Sequence, residues 1–187
     1  MTLGAAATSP QQESGQDVGD ERPIVLVGLM GVGKTTVGRR LAAQLGVSFA
    51  DADKAIEEAA QLSISEIFDA FGEAYFRDGE KRVISRLLAA GTGVVATGGG
   101  AFCQEDTRRL LLEQARVVWL DCDIDTLVER TGRRDNRPLL RGADRREVLT
   151  RLAAERRPLY AQAHLHVHAH GGPHARTVAA ILEALER

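Results

Sequence analysis

Cysteine is scarce in this chain. Two residues, Cys103 and Cys122, are too few and too isolated for a disulfide framework or a zinc site, so both read as reduced thiols. No apolar run approaches the ~20 residues that a membrane span needs. A formal charge of −2 gives no global attraction to nucleic acid or to an anionic membrane. Internal repeats are absent, and so is the N-K-x-D signature of a guanine-nucleotide switch. Residues 1–22, "MTLGAAATSPQQESGQDVGDER", contain four acids, one arginine and no periodic apolar face, the composition of a disordered tail. They lack the basic start and apolar core of a signal peptide and the arginine richness of a transit peptide. The cytoplasm is the expected compartment.

What remains is ordinary in bulk and specific in pattern. With 187 residues, 44% hydrophobic and 27% charged, the chain suits one α/β domain over residues 23–187. Five short apolar runs read as strands: "IVLV" (24–27), "VSFA" (47–50), "GVVAT" (93–97), "RVVWL" (116–120) and "LHVHA" (165–169). Between them lie segments of helical period. Val37, Leu41 and Leu45 form one apolar ladder, with Gly46 as a stop. Ser63 and Glu66 are spaced as a capping box, ahead of an apolar side made by Ile64, Ile67, Phe68 and Phe71. A longer helix is expected from about Glu73 to Ala90, with Val83, Ile84, Leu87 and Leu88 inward and Gly79 as a candidate kink. Val178, Ile181, Leu182 and Leu185 mark the last helix. Strands alternating with helices imply a mainly parallel, three-layer sheet whose ligands collect at the strands' carboxyl ends.

"GLMGVGKTT" follows the first strand and opens a helix. Gly28, Gly33, Lys34 and Thr35 satisfy G-x-x-x-x-G-K-[ST], so backbone N–H groups and a helix N-terminus face the phosphates. Lys34 reaches toward the β- and γ-phosphates and Thr35 toward Mg²⁺. After the second run, "DAD" sets Asp51 and Asp53 two residues apart, on one side of an extended backbone. They suit a metal ligand and an acceptor-orienting base; equally they suit a turn, with Asp53 as an N-cap. "TGGGA" allows close backbone approach or is a simple turn. Arg77 in "FGEAYFR" and Arg156 in "RRPLY" sit on expected helices, where a surface charge is the commoner fate of an arginine. "TGRRDNRPLLRG" (131–142), with Arg133, Arg134, Arg137 and Arg141, has the polarity and lack of period of a mobile flap. His164, His166 and His168 alternate with Leu165, Val167 and Ala169, which favours a solvated strand over a metal site, with no partner carboxylate in view. Cys103 follows the glycine turn without an evident base.

Together "GLMGVGKTT", "DAD", "FGEAYFR", "TGGGA", "RPLL" and "RRPLY", in this order and spacing from Ile24 onward, resemble the shikimate kinases, a branch of the P-loop kinases. The resemblance implies a five-stranded parallel sheet with helices on both faces. It also implies phosphoryl transfer from MgATP to the 3-hydroxyl of shikimate, a step toward chorismate and the aromatic amino acids. ATP and shikimate would be the ligands, Mg²⁺ the metal and a monomer the working form, without nucleic acid or membrane. Gly31, Val32, Gly33, Lys34, Thr35, Thr36, Arg130 and Arg137 would contact nucleotide, with Arg130 at the adenine and Arg137 in a lid over about 132–143. Thr35 and Asp51 would hold Mg²⁺. Asp53, Arg77, Gly98, Gly99, Gly100 and Arg156 would bind shikimate, the two arginines at its carboxylate. Lys34, Asp53 and Arg137 would be catalytic. The family's further adenine-contacting arginine, after the fifth strand, has no clear counterpart in "HGGPHAR", where Arg176 is the nearest candidate. Gluconate or nucleoside monophosphate kinases are the nearest rival readings.

Overall fold

A computed structural model describes residues 22–132, 144–169 and 172–186. Five parallel strands form one sheet: β1 (Ile24–Val27), β2 (Phe49–Asp51), β3 (Val94–Ala96), β4 (Arg116–Asp121) and β5 (Leu165–His168), in the order β2-β3-β1-β4-β5. All four residues of β1 are buried. Successive strand residues face opposite ways, so both faces are covered and the strand can be continuously apolar. Helix α1 (Lys34–Leu45) packs on β1, β3 and α7 (His174–Leu185); α4 (Glu105–Gln114) packs on β4 and on α3 (Ile64–Ala89). Helices α2 (Ala52–Ala60), α5 (Ile124–Gly132) and α6 (Arg145–Tyr160) complete the fold.

The order places β1 in the centre, with β3 on one side and β4 on the other. The chain moves outward to β2 before returning to β3, then crosses over β1 to reach β4. Such a reversal opens a crevice at the carboxyl ends of the strands, where side chains and loops from several of them meet.

A second, smaller core lies under α2 and α3, built on Ile56, Ile67, Phe76 and Val83. The predicted capping box is present: Ser63 Oγ accepts from the Glu66 N–H, and Glu66 accepts from the Ser63 N–H. The two predicted helices of this region run on from each other across Gly72, whose backbone (φ 79°, ψ 173°) is not helical. Phe68 and Phe76 stack across the break at 4.6 Å.

Several expectations are corrected here. Helical geometry is lost at Gly72 and kept at Gly79, so the kink falls one element-half earlier than expected. Leu45 and Phe71 are exposed rather than inward; helical period sets a side chain's direction, not whether anything lies beneath it. Phe71 stacks instead on exposed Tyr75. The N-cap of α2 is Asp51, because β2 ends there and Asp53 already sits in the first helical turn. Thr131 and Gly132 belong to α5, with the Thr131 hydroxyl buried against the Leu127 carbonyl. The edge strand β5 does turn His166 and His168 outward and Val167 inward. Contrary to expectation, Asp121 and Asp123 lie 3.5 and 3.6 Å from them. Even so, no group of three potential ligands suited to a metal occurs among the described residues.

Candidate active site

The loop between β1 and α1 reaches its shape through glycines at positive φ: Gly28 at 134° and Gly33 at 99°. A Cβ on Gly28 would stand 2.3 Å from the Leu120 carbonyl oxygen, so only glycine lets the loop start this close to β4. Lys34 donates from Nζ to the carbonyls of Gly28 (2.7 Å) and Leu29 (3.0 Å), which holds the ammonium across the mouth of the loop. Arg130, on α5, donates to the Val32 carbonyl at 3.1 Å. His174, at the start of α7, packs against Gly33, its Cε1 3.0 Å from where a Cβ would stand. Burial, then Arg130 and Arg40, lower the His174 pKa.

Thr35 and Asp51 meet directly, Thr35 Oγ1 donating to Asp51 Oδ2 at 2.7 Å. The other Asp51 oxygen accepts from the N–H groups of Asp53 (3.2 Å) and Lys54 (3.5 Å). A hydroxyl and a carboxylate side by side are hard oxygen donors. They fit Mg²⁺, which keeps most of its shell as water and phosphate oxygens. Asp51 thus takes the N-cap place expected of Asp53, and with Thr35 it is a candidate metal ligand.

Asp53 points toward the glycine turn after β3: a Cβ on Gly98 would lie 2.7 Å from its Oδ1 and 3.0 Å from Glu80 Oε1. Burial first, and then the neighbouring Asp51 charge, raise the Asp53 pKa; Lys34 and Arg77 pull against them. A Cβ on Gly100 would stand 2.5 Å from an Arg77 nitrogen. Gly98 and Gly100 therefore let backbone run where two carboxylates and a guanidinium crowd any side chain, while a Cβ on Gly99 would meet nothing closer than 3.4 Å. Arg156, from α6, donates Nη1 to the Gly99 carbonyl at 3.1 Å.

Two residues of the site escaped sequence reasoning. Glu80 is 1% exposed, and Arg77 donates Nη1 to its Oε2 at 2.7 Å. Its Oε1 is buried without a hydrogen-bond partner. Burial raises the Glu80 pKa, although Arg77 opposes the shift. The signal was its place three and four residues before the inward Val83 and Ile84. Tyr160, also on α6, donates its hydroxyl to the Gly99 carbonyl at 2.5 Å. Cys103, whose Sγ lies 4.0 Å from that same oxygen, has its pKa pushed up by burial and has no activating base among the described residues. Arg137 lies outside the described residues. Gly31, Val32 and Thr36 lie in the loop and first turn of α1 as expected.

A nucleotide loop, an adjoining pair of hard oxygen ligands, and a glycine turn lined by Asp53, Glu80 and two guanidinia define a small-molecule kinase of the P-loop type. Comparison with known proteins narrows the class. The sequence model of shikimate kinase matches residues 30–186. A shikimate kinase of Novosphingobium aromaticivorans is 58% identical over 170 residues, covering 89% of this chain and 88% of that protein. One from Caulobacter vibrioides is 56% identical over 166 residues, covering 89% and 83%. The structure of an Acinetobacter baumannii shikimate kinase in complex with shikimate superposes with a TM-score of 0.84. It has 38% identity and covers 88% of this chain and 93% of that one. The chain belongs to the shikimate kinase family.

Proposed function

We propose that this chain transfers the γ-phosphoryl group of MgATP to the 3-hydroxyl of shikimate. The observation that carries the reading is the glycine turn after β3. Asp53 and Glu80 crowd one of its residues, while Arg77 and Arg156 contact the next two. Arg77 is ion-paired with Glu80, so the turn is lined by mixed charge, which suits a ring bearing several hydroxyls and one carboxylate. The buried Glu80 Oε1 seeks a hydrogen-bond donor, which a ring hydroxyl supplies. Two guanidinia present planar forks to the carboxylate.

In this reading Asp53 accepts the proton of the attacking hydroxyl. Its raised pKa makes it a better base than an exposed carboxylate. Lys34 and the N–H groups of the Gly28–Gly33 loop hold the β- and γ-phosphates in line with that oxygen. Thr35 and Asp51 are the ligands for Mg²⁺, which when bound neutralises phosphate charge. Phosphoryl transfer passes through a loose transition state, so alignment and charge compensation are the main contributions required of the protein.

The decisive test is a coupled assay with MgATP and shikimate, run beside quinate, gluconate and AMP. Turnover on shikimate with marginal rates on the others supports the reading; preferential turnover of gluconate or AMP overturns it. Arg156→Ala should weaken acceptor binding by ~2–5 kcal/mol, the scale for truncating one partner of a buried charge pair, and leave nucleotide binding unchanged. Arg77→Lys should fall short of wild-type acceptor affinity, because a point charge does not reproduce the fork.

A further inference from the structure

Nothing in the chemistry above requires a phenol, yet Tyr160 ends on the acceptor turn. The residue is 2% exposed. Its ring is stacked with Phe102 (6.4 Å between centroids) and with Trp119 (5.9 Å). A buried ring held by two aromatic neighbours has little freedom to move its hydroxyl, which lies 2.5 Å from the Gly99 carbonyl oxygen. Arg156, one helical turn earlier on α6 and hence on the same face, donates to the same oxygen at 3.1 Å.

We propose that Tyr160 is a positioning residue for the acceptor: its hydroxyl anchors the Gly99 carbonyl, and so orients both the glycine turn and the Arg156 guanidinium that shares that oxygen. The proposal rests on the acceptor-site reading above. Three consecutive glycines carry no side chains to restrain them, so the turn's geometry has to be imposed from outside. The peptide that follows Gly99 is a rigid trans plane. Fixing its carbonyl toward Tyr160 and Arg156 fixes the Gly100 N–H in the opposite direction. Gly100 is the residue packed on Arg77. One peptide plane thereby couples the two guanidinia assigned to the carboxylate. Burial raises the phenol pKa, so the hydroxyl remains a donor throughout the working range of pH. With Tyr160 in place, Arg156 does not have to secure the carbonyl alone and keeps its other N–H groups for the acceptor.

The experiment is steady-state kinetics of Tyr160→Phe, which keeps the stacked ring and removes only the hydroxyl. The KM for shikimate should rise about tenfold, the effect of one well-aligned hydrogen bond. The KM for ATP and kcat should stay within about twofold, as expected for loss of acceptor binding alone. In the double variant with Arg156→Lys, the loss should be smaller than the product of the two single losses, because both act through one oxygen. An unchanged shikimate KM in Tyr160→Phe overturns the proposal. So does a parallel rise in both KM values with a lowered Tm, which marks Tyr160 as core alone. Failure of the functional reading looks different: the wild type itself then leaves shikimate untouched. Tyr160→Phe is in that case judged on whichever of quinate, gluconate or AMP the wild type accepts, and a wild type inactive on all four overturns both.

Discussion

A carboxylate that must take up a proton works best when its charge is poorly satisfied, and the two aspartates after β2 differ in this respect. Asp51 is met by Thr35 and by two backbone N–H groups, whereas Asp53 is pushed toward its neutral form by burial and by Asp51. Because the folded pKa lies above the ordinary 3.8, ionised Asp53 costs stability. The cost is absent well below pH 3.8, grows as pH rises from there toward the folded value, and is constant above it. Asp53→Asn should therefore melt higher than wild type at neutral pH, with the difference closing in acid, while turnover falls by ~10²–10⁴-fold. Thermal melts across pH, with the assay alongside, decide it; a lower Tm at neutral pH would mean that the charge is well compensated. For the wild type, the same shift predicts an acid limb in kcat as Asp53 protonates. At this scale the phosphate loop was legible from its own motif, whereas Asp53, Arg77, Arg156 and the three glycines were singled out only through the family resemblance, since their residue types alone fit turns and surface charges equally well. Glu80 was not, since a glutamate on a helix reads as solvated until its Arg77 partner and the packing around it are known.

Glycine 72 and glycine 79 look alike in a helical pattern and behave oppositely in the fold. Gly72 takes φ 79°, with open space where a side chain would go, so a substitution there meets backbone strain alone. Gly72→Ala should cost ~1–2 kcal/mol. Gly79 is helical and equally open, and Gly79→Ala should stabilise by ~0.5–1 kcal/mol. Urea denaturation of the two variants measures both, and a shared sign would refute the contrast. The sequence pattern puts a helix boundary between Phe71 and Glu73, yet suggests Gly79, not Gly72, as the kink. Gly72 breaks the helix because Ile67 and Phe76, on its two sides, must both enter the small core under α2 and α3, a constraint that exists only in three dimensions. Elements whose signals are local, such as the Ser63–Glu66 capping box and the left-handed Gly46 stop, were readable in full.

For the molecule as a whole, strand number and parallel character were legible, while strand order was not, because neighbours in the sheet are not neighbours along the chain. That order gathers the ends of β1, β2 and β3, with α5 and α6 completing the site from the far side of β1. Residues 1–21 are small, polar and acidic, with no periodic apolar face to dock on the domain. Deletion of residues 1–21 should accordingly leave kcat and Tm close to those of the full chain; a large fall in either would assign those residues a part in the domain. Ligands that bind only the folded state should raise stability by about 2.7 kcal/mol at one hundred times their Kd. A rise in Tm from shikimate alone, without nucleotide, would report an acceptor site already formed.

Trp119 is the chain's only tryptophan. It lies flat on His166, with centroids 4.0 Å apart and planes 9° from parallel, and its other stacking partner is Tyr160. Since the Tyr160 hydroxyl ends on the turn that receives the acceptor, the single indole emitter is mechanically joined to that turn. Its fluorescence should change as shikimate arrives, so that acceptor affinity is readable optically from unlabelled protein, with no phosphate transferred.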